Sequence, residues 1–250
     1  MELYWTIFFF LIGMTFGSFF NVVGLRVPKS IPFTSDRSYC PHCKTKLKWF
    51  ELIPVFSYIF LFGKCRTCKR RISPLYPIVE LMTGLLFAYS YVVFGFHVEL
   101  FAAIVLISLL MIIFVTDFAY MVIPNKILLF FLPFVIVARI ISPLTPWYDA
   151  LIGGIVGFLL IAIIILVSNG GMGAGDMKLF GIIGMILGWQ NTLLTFFLAA
   201  LFGAVVGLVL IMFKIIKRKQ PIPFGPYIVI GAIISYFYGK EIIMLYLTLL

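Results

Sequence analysis

Charge is scarce in this chain. Only 11% of its 250 residues are Asp, Glu, Lys or Arg, against about a quarter in a typical soluble domain. That shortage excludes disordered tails, coiled coils and ordinary cytosolic enzymes. The first long apolar run, Trp5 to Leu25, has no basic segment before it and Glu2 is its only early charge, so it does not read as a cleavable signal peptide. Nor is there a glycine-rich nucleotide fingerprint following a strand. What fills the chain instead is apolar: 63% of residues are hydrophobic, more than a soluble fold of this size can hide. Lipid must be its main solvent.

A transmembrane helix needs about 20 apolar residues. Runs of that kind occur at 5–25, 75–96, 98–116, 121–141, 150–168 and 225–247. The stretch 177–213 is broken only by Gln190-Asn191-Thr192 and reads as two crossings joined by a tight turn. The expectation is an all-α polytopic membrane protein of about eight transmembrane helices. Its segments would be a first helix at 1–25, a loop domain at 26–73 and a seven-helix catalytic domain at 74–250.

Nineteen basic residues face nine acids, a net +10, but the excess is concentrated. Eleven of the basic residues lie between Arg26 and Arg71, with only Asp36 and Glu51 opposing them. This is the positive-inside pattern of a cytoplasmic loop rather than a nucleic-acid surface. With the N-terminus outside and eight spans, Lys126, Lys178, Lys214, Lys217, Arg218 and Lys219 also fall inside, leaving Arg139 and Lys240 outside. Were 177–189 not to cross, the 214–219 cluster would move outside against the rule.

The only cysteines form two knuckles, Cys40-Pro41-His42-Cys43 and Cys65-Arg66-Thr67-Cys68. Two thiolate pairs at this separation suit a tetrahedral Zn²⁺, and a cytoplasmic loop keeps thiols reduced. With four thiolates the ion has no open position, so it would staple the loop rather than catalyse. His42 reads as an exposed spacer, and His97 carries no signal.

The acids are few enough to enumerate. Glu2, Glu99, Asp149 and Glu241 fall near outside ends, and Glu80 lies early in the second span. Asp117 ends the third span and Asp176 opens the sixth. Both lie at the cytoplasmic edge on different helices, where two carboxylates could share a proton and activate one water. Gly173 and Gly175 before Asp176 would allow φ > 0 and close approach of a substrate backbone. The plainer alternative is that each Asp caps a helix or pairs with a nearby Lys such as Lys178.

These motifs together resemble the type IV prepilin peptidases. The run Gly17-Ser18-Phe19-Phe20-Asn21-Val22-Val23 with Arg26 and Pro28 comes first, then the cysteine knuckles and Tyr76-Pro77 with Val79-Glu80-Leu81. Asp117 with Ile123-Pro124-Asn125 follows, then Gly173-x-Gly175-Asp176-x-Lys178-Leu179 and Pro221-Ile222-Pro223-Phe224-Gly225-Pro226. The resemblance covers nearly the whole chain. It implies a membrane aspartyl protease with Asp117 and Asp176 as the catalytic pair, Gly173, Gly175 and Lys178 supporting them. The substrates would be precursors of type IV pilins or pseudopilins, cut after a short basic leader at the cytoplasmic face of the bacterial inner membrane. It also implies N-methylation of the new terminus by S-adenosylmethionine. Leu75 stands where family members usually have Arg, beside the loop on which methylation is thought to depend.

Two other readings remain at this point. Asp117, Asp176 and Glu80 could line an ion path, although no acid lies at mid-membrane to complete a relay. A non-enzymatic assembly factor with a docking zinc loop is the other.

Overall fold

The computed structural model describes residues 2–32, 38–168, 171–217, 220 and 222–249. Asp36, Arg218, Lys219 and Pro221 lie outside them. Among the described residues nine α-helices follow in order: α1 Glu2–Arg26, α2 Phe56–Phe60, α3 Leu75–Phe94, α4 Glu99–Tyr120, α5 Asn125–Ile141, α6 Asp149–Val167, α7 Ala174–Leu187, α8 Trp189–Met212 and α9 Gly225–Leu249. Among the described residues there is no strand, only two isolated β-bridges. Helices α1, α3, α4, α6, α8 and α9 are long and apolar enough to cross a membrane. The remaining apolar helices, α5 with 17 residues and α7 with 14, are shorter. At 1.5 Å per residue α7 measures about 21 Å.

The helix ends follow local chemistry. Pro74 precedes α3 and Pro77 lies in its first turn, where a missing N–H costs nothing. Glu99 and Asp149 open α4 and α6, acids at the positive end of the dipole. The break in 177–213 falls at Gly188 (φ 77), two residues before the polar run. Glycine tolerates that left-handed conformation, and Gln190-Asn191-Thr192 instead form the first turn of α8.

The chain divides into two compact units, Met1–Val115 and Thr116–Leu250. In the first, α1 and α3 run antiparallel in a strict register. A Cβ on Gly13 would come within 2.8 Å of the Gly84 backbone, and one on Gly17 within 2.8 Å of Glu80 Cα. One turn further, Asn21 Nδ2 donates to Tyr76 O at 3.1 Å. Steps of four residues on each helix keep these small and polar groups in one seam. The far end is closed by aromatic rings, with Phe9 stacked on Tyr91 at 5.0 Å and Trp5 edge-on to Phe96 at 4.9 Å.

The second unit repeats the device. Gly153 and Gly157 of α6 lie against the backbone of Gly184 and Phe180 of α7, so the small-residue pattern serves packing within the chain. Gly231 of α9 meets the Thr195 carbonyl of α8, and Gly239 meets Asn191. Arg139 of α5 is buried and donates to the carbonyls of Ser142 at 3.0 Å and Ile186 at 2.6 Å. A guanidinium at the last turn of α7 answers its negative dipole end and fixes α7 along α5.

Candidate active site and metal cluster

Asp117 lies in the last turn of α4, which closes as Met121 (φ 53) donates its N–H to the Asp117 carbonyl. Its side chain is 6% exposed. Oδ2 accepts the backbone N–H of Gly225 at 2.7 Å. Gly225 is the first residue of α9, so that N–H has no partner within its own helix, and the carboxylate supplies one at the positive end of the dipole. A Cβ at position 225 would lie 2.7 Å from both Cβ and Oδ2 of Asp117; only glycine allows this approach. Sequence patterning alone does not reveal that role, although a glycine set among prolines in Pro223-Phe224-Gly225-Pro226 was the available signal.

Asp176 is the third residue of α7 and is half-buried. Its Oδ2 accepts the N–H of Gly173 at 3.1 Å, so the capping alternative is realised at this residue. The lysine alternative is not: Lys178 Nζ donates to Asn125 Oδ1 at 3.0 Å. Beside that bond, α5 and α7 enclose a groove of about 360 Å³ walled by Leu128, Leu129, Leu132 and Ile182. The glycines act by proximity rather than by φ > 0. Gly173 takes φ −80 at the start of the helix, and a Cβ on Gly175 would come 2.9 Å from Ile123.

Asp117 and Asp176 therefore belong to one unit, on the last turn of one helix and the first turn of another, within each other's electrostatic reach. Each keeps one backbone donor, from Gly225 and Gly173. Two carboxylates close to one another do not both ionise easily, so a pair of this kind can hold one group as acid and the other as base.

The four cysteines form a second cluster, in the first unit. Their sulfurs all lie within 4.8 Å of one another, with Cys40–Cys68 and Cys43–Cys65 both at 3.9 Å. The knuckles have the same backbone. Cys40 N–H donates to Thr45 O and Lys44 N–H to Cys40 O; Cys65 N–H donates to Arg70 O and Lys69 N–H to Cys65 O. Lys44 (φ 56) and Lys69 (φ 58) turn the chain left-handed at equivalent places. Hydrogen bonding to the Thr45 side chain draws the Cys43 thiol down to about 6, toward the thiolate, whereas burial and the neighbouring sulfurs push Cys68 up to about 11. Such a cluster could hold a metal ion. His42 stays outside it, with Nδ1 3.4 Å from Arg70.

Family models match both parts of the chain: the bacterial peptidase A24 N-terminal domain over residues 11–94 and the type IV leader peptidase family over residues 104–208. A prepilin leader peptidase/N-methyltransferase of Bacillus subtilis (strain 168) is 45% identical over 240 residues, 96% of this chain and 97% of the relative. One from Pseudomonas aeruginosa is 32% identical, covering 95% of this chain and 91% of its own. One from Myxococcus xanthus is 36% identical over 82% of this chain and 63% of its own. No solved structure matches. With an all-helical architecture, six helices able to cross a membrane and relatives along nearly its whole length, the chain is an integral membrane protein and belongs to the type IV leader peptidase family.

Proposed function

We propose that this membrane protein is an aspartyl endopeptidase that removes the short basic leader from type IV prepilin-like precursors and then methylates the exposed N-terminus. The observation that carries the reading is the pairing of Asp117 and Asp176 in one unit, each oriented by a glycine N–H. One carboxylate takes a proton from a water as the water attacks the scissile carbonyl. The other gives its proton to the oxyanion and then to the leaving nitrogen. The Gly225 and Gly173 bonds hold the two groups before substrate arrives, and Lys178 steadies the start of α7 through Asn125. Glycine at 175 lets Ile123 pack against the start of α7, and glycine at 173 lets the main chain close on the Asp176 carboxylate.

The cysteine cluster fits zinc. Zn–S bonds of about 2.3 Å make S···S edges of about 3.8 Å in a tetrahedron, close to the 3.9 Å of the two pairs. Closed by four thiolates, the ion staples the 26–73 loop and takes no part in cleavage. S-adenosylmethionine supplies the methyl group for the second activity. Eight spans, with the N-terminus outside and the basic loop inside, put both aspartates on the side where a positively charged leader stays. The segments are a first helix at 1–25, the zinc loop at 26–73 and a catalytic membrane domain at 74–250.

Co-expression with a type IV prepilin precursor, followed by the intact mass of the product, tests the reading. Wild type should yield a product shortened by the leader and one methyl heavier, and the Asp176→Asn variant an untouched precursor. An untouched precursor with wild type as well would defeat it.

A further inference from the structure

The α1–α3 seam holds a polar cluster that proteolysis does not use. Glu80 is 8% exposed in the interior of a membrane-compatible helix, and among the described residues no cation pairs with it. Its Oε2 accepts the N–H of Val55 at 2.7 Å, and the Ser18 hydroxyl lies beside the same carboxylate, next to the Gly17 that packs on Glu80 Cα. One turn along the seam lies Asn21, 1% exposed. Its Nδ2 must face the Tyr76 carbonyl, because only the NH₂ end can donate. Its Oδ1 therefore points away, and it has no partner. Val55, which delivers its N–H to Glu80, is a β-branched residue at φ 62, a strained conformation that persists only where the surroundings impose it.

A buried carboxylate without a cation and a buried amide oxygen without a donor are both expensive. They are also complementary to one kind of group, a cation carrying several N–H donors. A sulfonium carries the charge but has no N–H; a primary ammonium has three, and of the two primary ammoniums in the reaction the substrate's is the one that must lose a proton to a base such as Glu80. We infer that Ser18, Asn21 and Glu80 form the acceptor site for methyl transfer, binding the newly exposed α-ammonium of the cleaved substrate. This rests on the proposed methyl-transfer activity and adds to it the residues that perform it.

In the reaction Glu80 takes one proton from the ammonium, leaving a neutral amine, one of whose two remaining N–H bonds is held by Asn21 Oδ1. The nitrogen lone pair attacks the methyl carbon of a sulfonium donor. The N–C bond forms as the C–S bond breaks, and sulfur keeps the electron pair as a neutral thioether. The product is a secondary methylammonium, and the proton on Glu80 passes to water. Charge is conserved, and no oxidant is needed.

Binding and transfer are measured on the full-length purified protein. The probe is a peptide of a mature prepilin N-terminus, fluorescently labelled at its far end, with a free or an N-acetylated terminus. Without methyl donor, wild type should bind the free-amine peptide at least about tenfold more tightly than the acetylated one, and Glu80→Gln should remove that preference. With S-adenosylmethionine, Glu80→Gln should lose methylation by about 100-fold while cleavage of full-length precursor stays within about twofold. Equal binding of the two peptides to wild type, or undiminished methylation by Glu80→Gln, overturns the assignment alone. A wild type that cleaves but never methylates overturns it together with the methyl-transfer half of the proposed function. Should Glu80→Gln lose cleavage as well, Glu80→Asp decides: a restored preference for the free amine upholds the site, and restored cleavage without that preference overturns it.

Discussion

Glu80 in the first unit and Asp117 in the second each accept a backbone N–H at 2.7 Å, from Val55 and Gly225 respectively. Each lies against a glycine whose Cβ would collide with it, Gly17 for Glu80 and Gly225 for Asp117. The chain thus holds an acid in an apolar helix in the same way twice, with a hydrogen bond from the main chain and a neighbour too small to intrude. The company each acid keeps is what differs. Asp117 has a second carboxylate, Asp176, within electrostatic reach, and a pair of acids suits proton exchange with water. Glu80 has Ser18, and Asn21 lies one turn along the seam; a single acid among neutral acceptors suits a bound cation. The second group decides the chemistry.

Breaking either member of the aspartate pair should have the largest effect. Asp117→Asn or Asp176→Asn should lower prepilin cleavage by at least about a thousandfold without preventing membrane insertion, as read by product mass beside a membrane-fraction blot. Substantial cleavage by either variant would remove that residue from the pair.

The glycine neighbours sharpen the contrast. Gly225→Ala pushes a methyl into the Asp117 carboxylate and should cost about 1–3 kcal/mol of fit, seen as a drop of about tenfold or more in cleavage. Gly17→Ala pushes into the backbone of Glu80 and should depress methylation instead. Parallel rate measurements on the two variants would separate the sites; loss of the same activity in both would merge them.

Replacing Cys40, Cys43, Cys65 and Cys68 with Ser should release one metal ion per chain and expose the 26–73 loop to protease, while aspartate-dependent cleavage declines less than in the aspartate variants. Metal analysis of the purified wild type that finds no zinc would refute the staple. The smallest effect is expected from Lys178→Ala. Its bond to Asn125 is exposed, so cleavage should fall by no more than about tenfold, and a loss as complete as that of Asp176→Asn would show a direct role.

Much of this was legible in the sequence. Apolar runs announce the helices because lipid demands long uncharged segments, and the cysteine knuckles announce a cluster through spacing. Asp117 and Asp176 stood out because acids are so few. Other features were hidden for a physical reason: they depend on which surfaces meet. Gly225 contacts Asp117 across 108 positions, and nothing local marks that pairing. The register that places Gly17 on Glu80 and Asn21 on Tyr76 is likewise a property of two packed helices. The break at Gly188 was misplaced because polarity marks a turn less reliably than the residue able to adopt φ 77. The expected positive φ at Gly173 and Gly175 was wrong for a related reason: small size, not backbone freedom, is what their neighbours require.

The length of α7 has a consequence for hydration. Its 14 residues reach about 21 Å, against a hydrocarbon core of about 30 Å. If α7 crosses as proposed, the bilayer must thin around it or let polar solvent fill the step at its ends. Asp176 sits on the first turn, at that step. Each bond hydrolysed consumes one water molecule, and a helix too short for its membrane is a means of bringing that water down to carboxylates that would otherwise sit in oil.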